Sequence, residues 1–452
     1  MWEALLWILV ILIISIFMGG PVSTTIGFTG IFALVFFLKP SLIGSLGNTM
    51  MANVLNADNL VLPMFMMMAE FMSRGGIAKN LFYVLSKWLR KLKGGLAVAS
   101  VMACTIFAAL CGSSPATAAT VGRVAIDEMV DRGYREDYAI GTVTGGGTLG
   151  IMIPPSIALC MYGILTETNI LKLLMAGVLP GIMLSLIMSA MCIIRAYLNP
   201  ELVGEEKRIR KNAAMEKEAK DALKAAAKEE PVYNTNFLQD LIMLLPSVIV
   251  IVIIVFCMYS GMATAAECAA FGCAAAIVIV IANKRMTKKV FKDSLFNTVK
   301  MASMMLLMLA SAYCLADVIG RLGIATQMAN AIVNSHINKW LVIALMYVLW
   351  YFLGTIMNPT AMITCTIPFV FPALTSLGFD PIWLGVVSTL CVEVGMITPP
   401  VGTNLFVIKQ TTGRSMECII KGTLPYVGAL TLGLIILTVF PQIVTILPAM
   451  MK

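Results

Sequence analysis

Two apolar segments, each long enough to cross a bilayer, carry a proline pair at their centre. The first, residues 145–163, reads GGGTLGIMIPPSIALCMYG, and the second, residues 391–409, reads CVEVGMITPPVGTNLFVIK. Proline removes a backbone donor and disfavours helical geometry in the residue before it, so each segment is predicted to form two half-helices around an unwound centre. Bare backbone at membrane depth is costly unless it lines a cavity or binds a ligand. Because the arrangement occurs twice, it is a hypothesis about function.

The rest of the chain is equally apolar. Of its 452 residues 59% are hydrophobic and 12% charged, and apolar runs of about 18 or more residues recur from end to end. The composition predicts an all-α polytopic membrane protein and excludes a soluble globular one. The first run, residues 2–18, has Glu3 in place of a basic start and has no small-residue cleavage site. It is interpreted as a retained helix and not as a signal peptide.

Cysteine and methionine are abundant but do not form a metal pattern. The 11 cysteines stand singly in apolar segments, without a CxxC motif, and the chain has one histidine. The 34 methionines have no accompanying histidine or cysteine spacing. Both residue types are therefore interpreted as packing residues.

The two halves of the chain repeat in sequence. Residues 70–78 match 317–325 at an offset of 247, and Ser114-Pro115 matches Asn358-Pro359 at an offset of 244. The two proline pairs match at an offset of 245, and so do residues 177–180 and 422–425. Four matches in register indicate an internal duplication. The predicted organisation is an N-terminal repeat over 1–200 (hairpin about 95–130, broken helix about 138–165), a charged cytoplasmic linker over 201–236, and a C-terminal repeat over 237–452 (hairpin about 339–376, broken helix about 381–410).

Charge predicts how the chain is oriented in the membrane. If both hairpins are re-entrant, each half crosses the bilayer an odd number of times, and the two repeats are inverted. Segments 73–93, 123–135, 195–228, 284–300 and 409–421 then hold 27 of the 32 lysine and arginine residues, and Lys39, Lys172, Arg321, Lys339 and Lys452 fall on the opposite side. The positive-inside rule makes the first group cytoplasmic and both termini periplasmic. Inverted repeats with broken helices are typical of secondary transporters.

The hairpin tips and helix breaks contain the groups that a sodium ion requires. Sodium binds several oxygens, which unwound carbonyls and a hydroxyl supply without a buried charge. The residues predicted for the C-terminal half are Gly354, Gly395, Thr398 and Val401, and those for the N-terminal half are Gly112, Ser113, Gly150, Ile153 and Ser156.

Donors for an anionic substrate lie in the same regions. Half-helices that begin after each proline pair present positive dipole ends to the membrane midplane, which suits a carboxylate or a sulfonate. The residues predicted to bind substrate are Ser113, Ser114, Thr148, Asn358, Thr360 and Asn404. The alternative is that small residues at the tips only allow close helix packing. The pairing of each tip with a proline break favours the binding interpretation.

Four acidic residues in apolar surroundings are further candidates. Glu393, six residues before Pro399, is either a proton or cation relay or a neutral acid bonded to a neighbouring helix. Glu267 is interpreted as a structural residue rather than a relay. Glu70 with Arg74, and Asp317 with Arg321, have the i, i+4 spacing of ion pairs.

With these residues assembled, the chain resembles the large membrane subunit of the tripartite ATP-independent periplasmic (TRAP) transporters. The likeness covers nearly the whole chain and is carried by ITPPVGTNLFVIK at 397–409, LGIMIPPSIALCMYG at 149–163, the Gly-Ser tip with ATAATVG up to residue 122, and RGGIA at 74–78. Two features depart from the family pattern. Thr117 and Asn358 stand where the tips commonly carry an aspartate, and the 201–236 linker is long.

The resemblance implies an elevator-type sodium symporter that is not an enzyme and that imports a small organic anion across the bacterial inner membrane. It also implies two partners, a periplasmic substrate-binding protein and a separate small membrane subunit of four helices, with no nucleic acid. An alternative is a self-sufficient sodium–anion symporter without a binding protein. A membrane enzyme that acts on lipid-linked substrates is disfavoured, because the sequence lacks acidic metal-binding clusters. A passive channel is disfavoured, because the broken helices would form gates that close the pathway. C4-dicarboxylates, keto acids, sialic acid and sulfonates all remain open as substrates.

Overall fold

A computed structural model describes residues 2–204, 236–334, 337–399 and 401–451. All regular elements among these residues are helices. Most of the charged linker predicted over 201–236, the second proline of the pair at 399–400, and Lys452 lie outside the described residues.

The described part of the N-terminal half contains ten α-helices. They are α1 (Trp2–Phe17), α2 (Val22–Phe37), α3 (Ile43–Val54), α4 (Val61–Arg74), α5 (Ile77–Trp88), α6 (Gly95–Cys111), α7 (Ser114–Asp131), α8 (Glu136–Gly147), α9 (Ile157–Thr166) and α10 (Ile170–Leu198). Short 3₁₀ helices occupy Pro40–Leu42, Ala57–Leu60, Thr148–Ile151 and Pro200–Val203.

The described part of the C-terminal half also contains ten α-helices. They are α11 (Phe237–Ser260), α12 (Ala265–Ala282), α13 (Lys288–Arg321), α14 (Ile324–Asn334), α15 (Lys339–Ile356), α16 (Pro359–Ser376), α17 (Pro381–Met396), α18 (Thr403–Thr412), α19 (Met416–Val439) and α20 (Gln442–Met450).

Seven helices among the described residues are long and apolar enough to cross a membrane: α10, α11, α12, α13, α15, α16 and α19. The pair formed by residues 57–74 and 77–88 bends by 61° at a short break and is an eighth candidate. The prediction of an all-α polytopic membrane protein is therefore confirmed. The inverted orientation of the two halves and the re-entrant placement of the hairpins remain predictions.

Helices α6 and α7 form one hairpin and α15 and α16 form another. The first turns at Gly112, whose φ of +61° suits a residue without a side chain. The second turns at Met357 and Asn358, and the Asn358 side chain caps α16 by accepting a 2.8 Å hydrogen bond from the Ala361 amide. Each second helix has a proline in its first turn, where no helical donor is lost.

Both proline-containing segments are interrupted helices. In the first, α8 ends at Gly147, a 3₁₀ turn follows, and α9 begins after Ser156, which caps it by accepting a 3.2 Å hydrogen bond from the Leu159 amide. In the second, α17 ends at Met396 and α18 begins at Thr403.

The hairpins and broken segments pack across the two halves. Helix α7 lies against α18 and α16 lies against α9, so each hairpin contacts the broken segment of the other repeat. Helices α8 and α19 approach each other closely at Gly141 and Gly422, where a Cβ on either glycine would meet the facing backbone. Helices α2, α4, α12 and α13, which belong to neither the hairpins nor the broken segments, pack against one another.

Candidate substrate and ion site

The tip of the first hairpin sits directly on the first broken segment. A Cβ added to Gly150 would lie 2.8 Å from the Ser113 carbonyl oxygen. A Cβ on Gly112 would collide with the Pro155 carbonyl, and the Gly112 carbonyl accepts a 3.5 Å hydrogen bond from the Ile157 amide. The structure therefore brings together Gly112, Ser113 and Gly150, three of the residues predicted for the N-terminal sodium site.

The tip of the second hairpin meets the second broken segment in the same way. A Cβ on Gly395 would come within 2.7 Å of the Gly354 Cα, so only glycine permits this approach of α15 and α17. Gly402, at the end of the break, donates a 2.8 Å hydrogen bond from its amide to the Thr355 carbonyl of α15.

These two backbone hydrogen bonds are equivalent in the two repeats. Their donors, Ile157 and Gly402, are 245 residues apart, the same offset that relates the two proline pairs. Their acceptors, Gly112 and Thr355, both belong to the end of the first helix of a hairpin. In each repeat, therefore, the chain beyond the proline pair is fixed to the hairpin tip by one backbone bond.

The remaining residues predicted to bind sodium lie around these contacts. Thr398 donates from Oγ1 to the Val394 carbonyl at 2.6 Å, accepts from Tyr351 Oη at 2.9 Å, and donates from its amide to the Gly395 carbonyl at 2.9 Å. Ser156 is buried as the cap of α9.

Two of the predicted ion ligands offer only their backbone. Ile153 packs its side chain against Gly181 of α10, so a role in ion binding rests on its carbonyl. Val401 is half-buried beside Gly402.

Ser114, Glu393 and Asn404 form a buried polar cluster between the two repeats. Asn404 Nδ2 donates to Ser114 Oγ at 2.6 Å, and Ser114 Oγ donates to Glu393 Oε2 at 2.9 Å. All three residues have 0% exposure. Ser114 begins α7 of the first hairpin, while Glu393 and Asn404 lie on the two sides of the second break, so the cluster joins the first hairpin to the second broken segment.

Several oxygens around this cluster are buried without a hydrogen-bond partner among the described residues. They are Glu393 Oε1, Asn404 Oδ1 and Thr403 Oγ1. A buried polar atom without a partner costs about 1–3 kcal/mol, so such atoms point to a missing ligand or water. Their common chemistry, oxygen on short side chains and one carboxylate, suits a hard cation or a hydrogen-bond donor.

The other residues predicted to bind substrate are more scattered. Thr148 is buried and donates from Oγ1 to the Gly145 carbonyl at 2.6 Å. Asn358 is exposed as the cap of α16, and Thr360 is buried in the first turn of that helix. The structure thus brings Ser114 and Asn404 into contact, with Ser113 next to Ser114 in the chain. The hydrogen bonds that the structure describes for Asn358 and Thr360 stay within α16 and do not join this group.

Some site residues escape sequence reasoning. The hydrogen bond between Tyr351 and Thr398 joins α15 to the break that follows α17, yet no sequence pattern around Tyr351 predicts this contact. Glu393 is recognisable as an intramembrane acid, but its contact with Ser114 spans 279 residues and has no local signal. For Glu393, the bond to a neighbouring helix agrees with one of the two predicted alternatives. Glu267 accepts from the Thr264 amide at 2.8 Å and completes a capping box, as its structural interpretation predicts.

Comparison with known proteins identifies the family. The family described as "Tripartite ATP-independent periplasmic transporter, DctM component" matches residues 9–443. The chain belongs to this transporter family. The predicted resemblance to the large membrane subunit of TRAP transporters is therefore confirmed.

Full-length relatives of this TRAP subunit are named as permeases. The C4-dicarboxylate TRAP transporter large permease protein DctM of Pseudomonas aeruginosa is 33% identical over 425 residues, which cover 94% of this chain and 93% of that protein. The sialic acid TRAP transporter large permease protein SiaM of Vibrio cholerae is 27% identical, with 96% of each chain covered. Since these relatives are transporters, the prediction that the chain is not an enzyme is confirmed.

A solved structure shares the fold of this TRAP subunit. The Alcanivorax borkumensis YdaH transporter superposes with a TM-score of 0.64 over 90% of each chain, at 11% sequence identity. At this identity the similarity shows a common fold and carries no conclusion about substrate.

Proposed function

We propose that this TRAP permease subunit couples the inward movement of sodium to the uptake of a small organic anion, a carboxylate or a sulfonate, across the bacterial inner membrane. The observation that carries the proposal is the buried polar cluster of Ser114, Glu393 and Asn404. It lies where a hairpin tip of one repeat meets the broken helix of the other, which is where transporters with broken helices place their binding sites.

The residues around the two tips suit sodium. At the second tip, Gly354 and Gly395 lie backbone to backbone, and Thr398 adds a hydroxyl. The last carbonyls of a helix have no donor further along the helix; at the end of α15 the Thr355 carbonyl accepts from the Gly402 amide, and the Gly354 carbonyl beside it is the oxygen proposed to bind the ion. Gly112, Ser113 and Gly150 make the equivalent arrangement at the first tip. A bound sodium ion would supply positive charge next to the substrate.

An anion suits the helix N-termini at these tips. Helix α7 begins at Ser114 and α18 at Thr403, and both N-termini meet at the hydrogen bond between Ser114 and Asn404. Helix N-termini offer unpaired amides and a positive dipole end, which stabilise a carboxylate or a sulfonate. Ser113, which begins the α7 turn, adds a half-buried hydroxyl without a capping bond. Thr148, Asn358 and Thr360 are the remaining proposed substrate contacts.

Transport by this protein requires partners. The relatives in Pseudomonas and Vibrio are large permease proteins of TRAP transporters for C4-dicarboxylate and for sialic acid. By analogy, a periplasmic binding protein delivers the anion, and a small four-helix subunit completes the permease. The hairpins and broken segments pack against one another, and α2, α4, α12 and α13 form a second packed group that contacts them where α4 meets α6 and α13 meets α16. In the proposed mechanism, the first group is displaced as a rigid body against the second.

The proposal is tested by reconstituting the chain with its small subunit in liposomes. Uptake of labelled C4-dicarboxylates, sialic acid, keto acids and isethionate is measured with the sodium gradient and the binding protein each present or absent. Uptake that needs both supports the proposal. Uptake without the binding protein identifies a self-sufficient symporter instead, and uptake without sodium contradicts the coupling.

A further inference from the structure

Glu393 is a buried acid that has no basic partner in the described part of the chain. It has 0% exposure, and its one hydrogen bond among the described residues comes from Ser114. None of the ion pairs that the structure describes includes it. A charged carboxylate in such a place needs a counter-charge, because the cost of removing it from water is otherwise several kcal/mol.

The direction of the hydrogen bonds leaves an acceptor free on each side of Ser114. The single hydroxyl proton of Ser114 points to Glu393 Oε2, and Ser114 Oγ accepts from Asn404 Nδ2. The amide oxygen of Asn404 is consequently turned away from Ser114, and no residue that the structure describes donates to Glu393 Oε1. Thr403, the residue before Asn404 in the first turn of α18, contributes a third unpartnered oxygen.

From these atoms we infer that Glu393 Oε1, Asn404 Oδ1 and Thr403 Oγ1 bind a sodium ion, in addition to any ions held by the carbonyls at the two tips. The inference rests on the proposed sodium coupling and adds a site that has a formal charge. Three oxygen acceptors without donors favour a hard cation over an anion, whose own oxygens would be repelled by Glu393.

This site would link ion binding to substrate binding through charge. An unneutralised Glu393 repels a carboxylate or sulfonate at the nearby N-termini of α7 and α18, whereas a sodium ion on Glu393 cancels that repulsion. The site also depends on contact between the repeats, because Ser114 of the first hairpin orients both Glu393 and Asn404. Sodium would therefore bind before the anion and hold the first hairpin against the second broken segment.

The experiment measures sodium binding without transport. The purified full chain in detergent is heated in sodium chloride and in choline chloride at equal ionic strength, and the unfolding midpoint is followed as a function of sodium concentration. A ligand that binds only the folded state raises this midpoint. The variant is Glu393→Gln, which keeps the acceptor for Ser114 but removes the charge. Its matched control is Glu267→Gln, at an exposed capping box that glutamine preserves.

For Glu393→Gln we expect the sodium concentration at half-maximal stabilisation to rise about tenfold or more, which equals about 1.4 kcal/mol of lost binding energy. Glu267→Gln should match the wild type. Thr403→Val, which removes one oxygen at constant size, should give an intermediate rise and provides the test if Glu393→Gln does not fold.

Equal sodium responses in the wild type, Glu393→Gln and Thr403→Val would overturn the inference and leave sodium binding to the tip carbonyls. A wild type that does not respond to sodium at all would overturn the proposed coupling as well. The two failures are therefore distinguishable.

Discussion

Ser114 Oγ lies 2.9 Å from Glu393 Oε2 and donates a hydrogen bond to it, although the two residues are 279 positions apart. This bond connects the first hairpin of the N-terminal repeat to the broken segment of the C-terminal repeat. Any movement that separates the two must break it and must also break the 2.6 Å bond from Asn404 to the same hydroxyl. The pair is thus both a structural link between the repeats and a point at which ligands can act on the contact.

Ser114→Ala removes the hydroxyl that joins Asn404 to Glu393. We expect a loss of about 1–3 kcal/mol in the free energy of unfolding, because two buried polar groups lose their partner, and a severe loss of uptake. Thermal unfolding in detergent and uptake in proteoliposomes measure the two effects. Ser100→Ala is the control, because the hydrogen bonds described for this buried serine, to the Leu96 carbonyl and to Met129 Sδ, stay within the first hairpin. Equal behaviour of the two variants would contradict the role of Ser114.

Gly395→Ala fills the contact between the second tip and the second broken segment. The new Cβ would lie 2.7 Å from Gly354 Cα, so α15 and α17 must separate. Such overpacking typically costs about 1–3 kcal/mol, and we expect sodium-driven uptake to fall well below that of the wild type. Gly428→Ala on α19 has no atom within 4 Å of its Cβ and serves as the control. Normal uptake by Gly395→Ala would show that the close contact is not needed.

Thr398→Val and Tyr351→Phe separate the two functions of the Thr398 hydroxyl. Both variants lose the 2.9 Å bond between Tyr351 Oη and Thr398 Oγ1, which is worth about 1 kcal/mol. Only Thr398→Val removes an oxygen proposed to bind sodium. We expect both to lower the unfolding midpoint, but only Thr398→Val to raise the sodium concentration that gives half-maximal uptake. If Tyr351→Phe raises it equally, Thr398 acts through the hydrogen bond and not as an ion ligand.

Arg414→Gln tests an ion-pair cluster on the predicted cytoplasmic face. Arg414 binds Glu136 at 2.7 Å and Asp127 at 3.2 Å, which ties the loop before α19 to α7 and α8. Burial disfavours the guanidinium charge, but the hydrogen bonds and charges of the two acids outweigh it and raise the pKa of Arg414.

Because the cluster is partly exposed, we expect Arg414→Gln to cost only about 1 kcal/mol, and the difference from the wild type to shrink in high salt. Chemical denaturation in urea at low and high sodium chloride measures this. A difference that does not change with salt would indicate lost packing in place of lost charge.

Single cysteines test the orientation of the chain in the membrane. The charge distribution places Lys172 outside and Lys288 inside. In intact cells, a membrane-impermeant maleimide should label Lys172→Cys, whereas Lys288→Cys should react only after the membrane is permeabilised. The unsubstituted protein is the control, because it contains 11 cysteines of its own. The reverse pattern would place the termini in the cytoplasm.

The sequence predicts the helical architecture well, because proline and glycine determine where helices start and stop through the backbone of their own and neighbouring residues. The two proline pairs mark the interrupted segments, and Pro115 and Pro359 mark the starts of α7 and α16. The i, i+4 ion pairs of Glu70 with Arg74 at 3.0 Å and Asp317 with Arg321 at 2.6 Å form as the helical spacing requires.

The contacts between repeats could not be predicted in the same way. Which hairpin faces which break depends on tertiary packing, and the bonds from Ser114 to Glu393 and from Tyr351 to Thr398 have no counterpart in local pattern. The duplication does predict equivalent positions such as Gly150 and Gly395, each of which packs against a hairpin tip from a broken segment. It could not reveal that Asn358 is exposed while Asn404 is buried.

The most direct test of the central claim is accumulation of a transported anion against its concentration gradient. Liposomes containing the complete permease are loaded with the labelled anion at the external concentration, in the presence of its binding protein. An inward sodium gradient is then imposed. The account predicts that the internal concentration rises above the external one and falls back when a sodium ionophore is added. No rise, or an equal rise with an inward potassium gradient, would contradict sodium-coupled uptake.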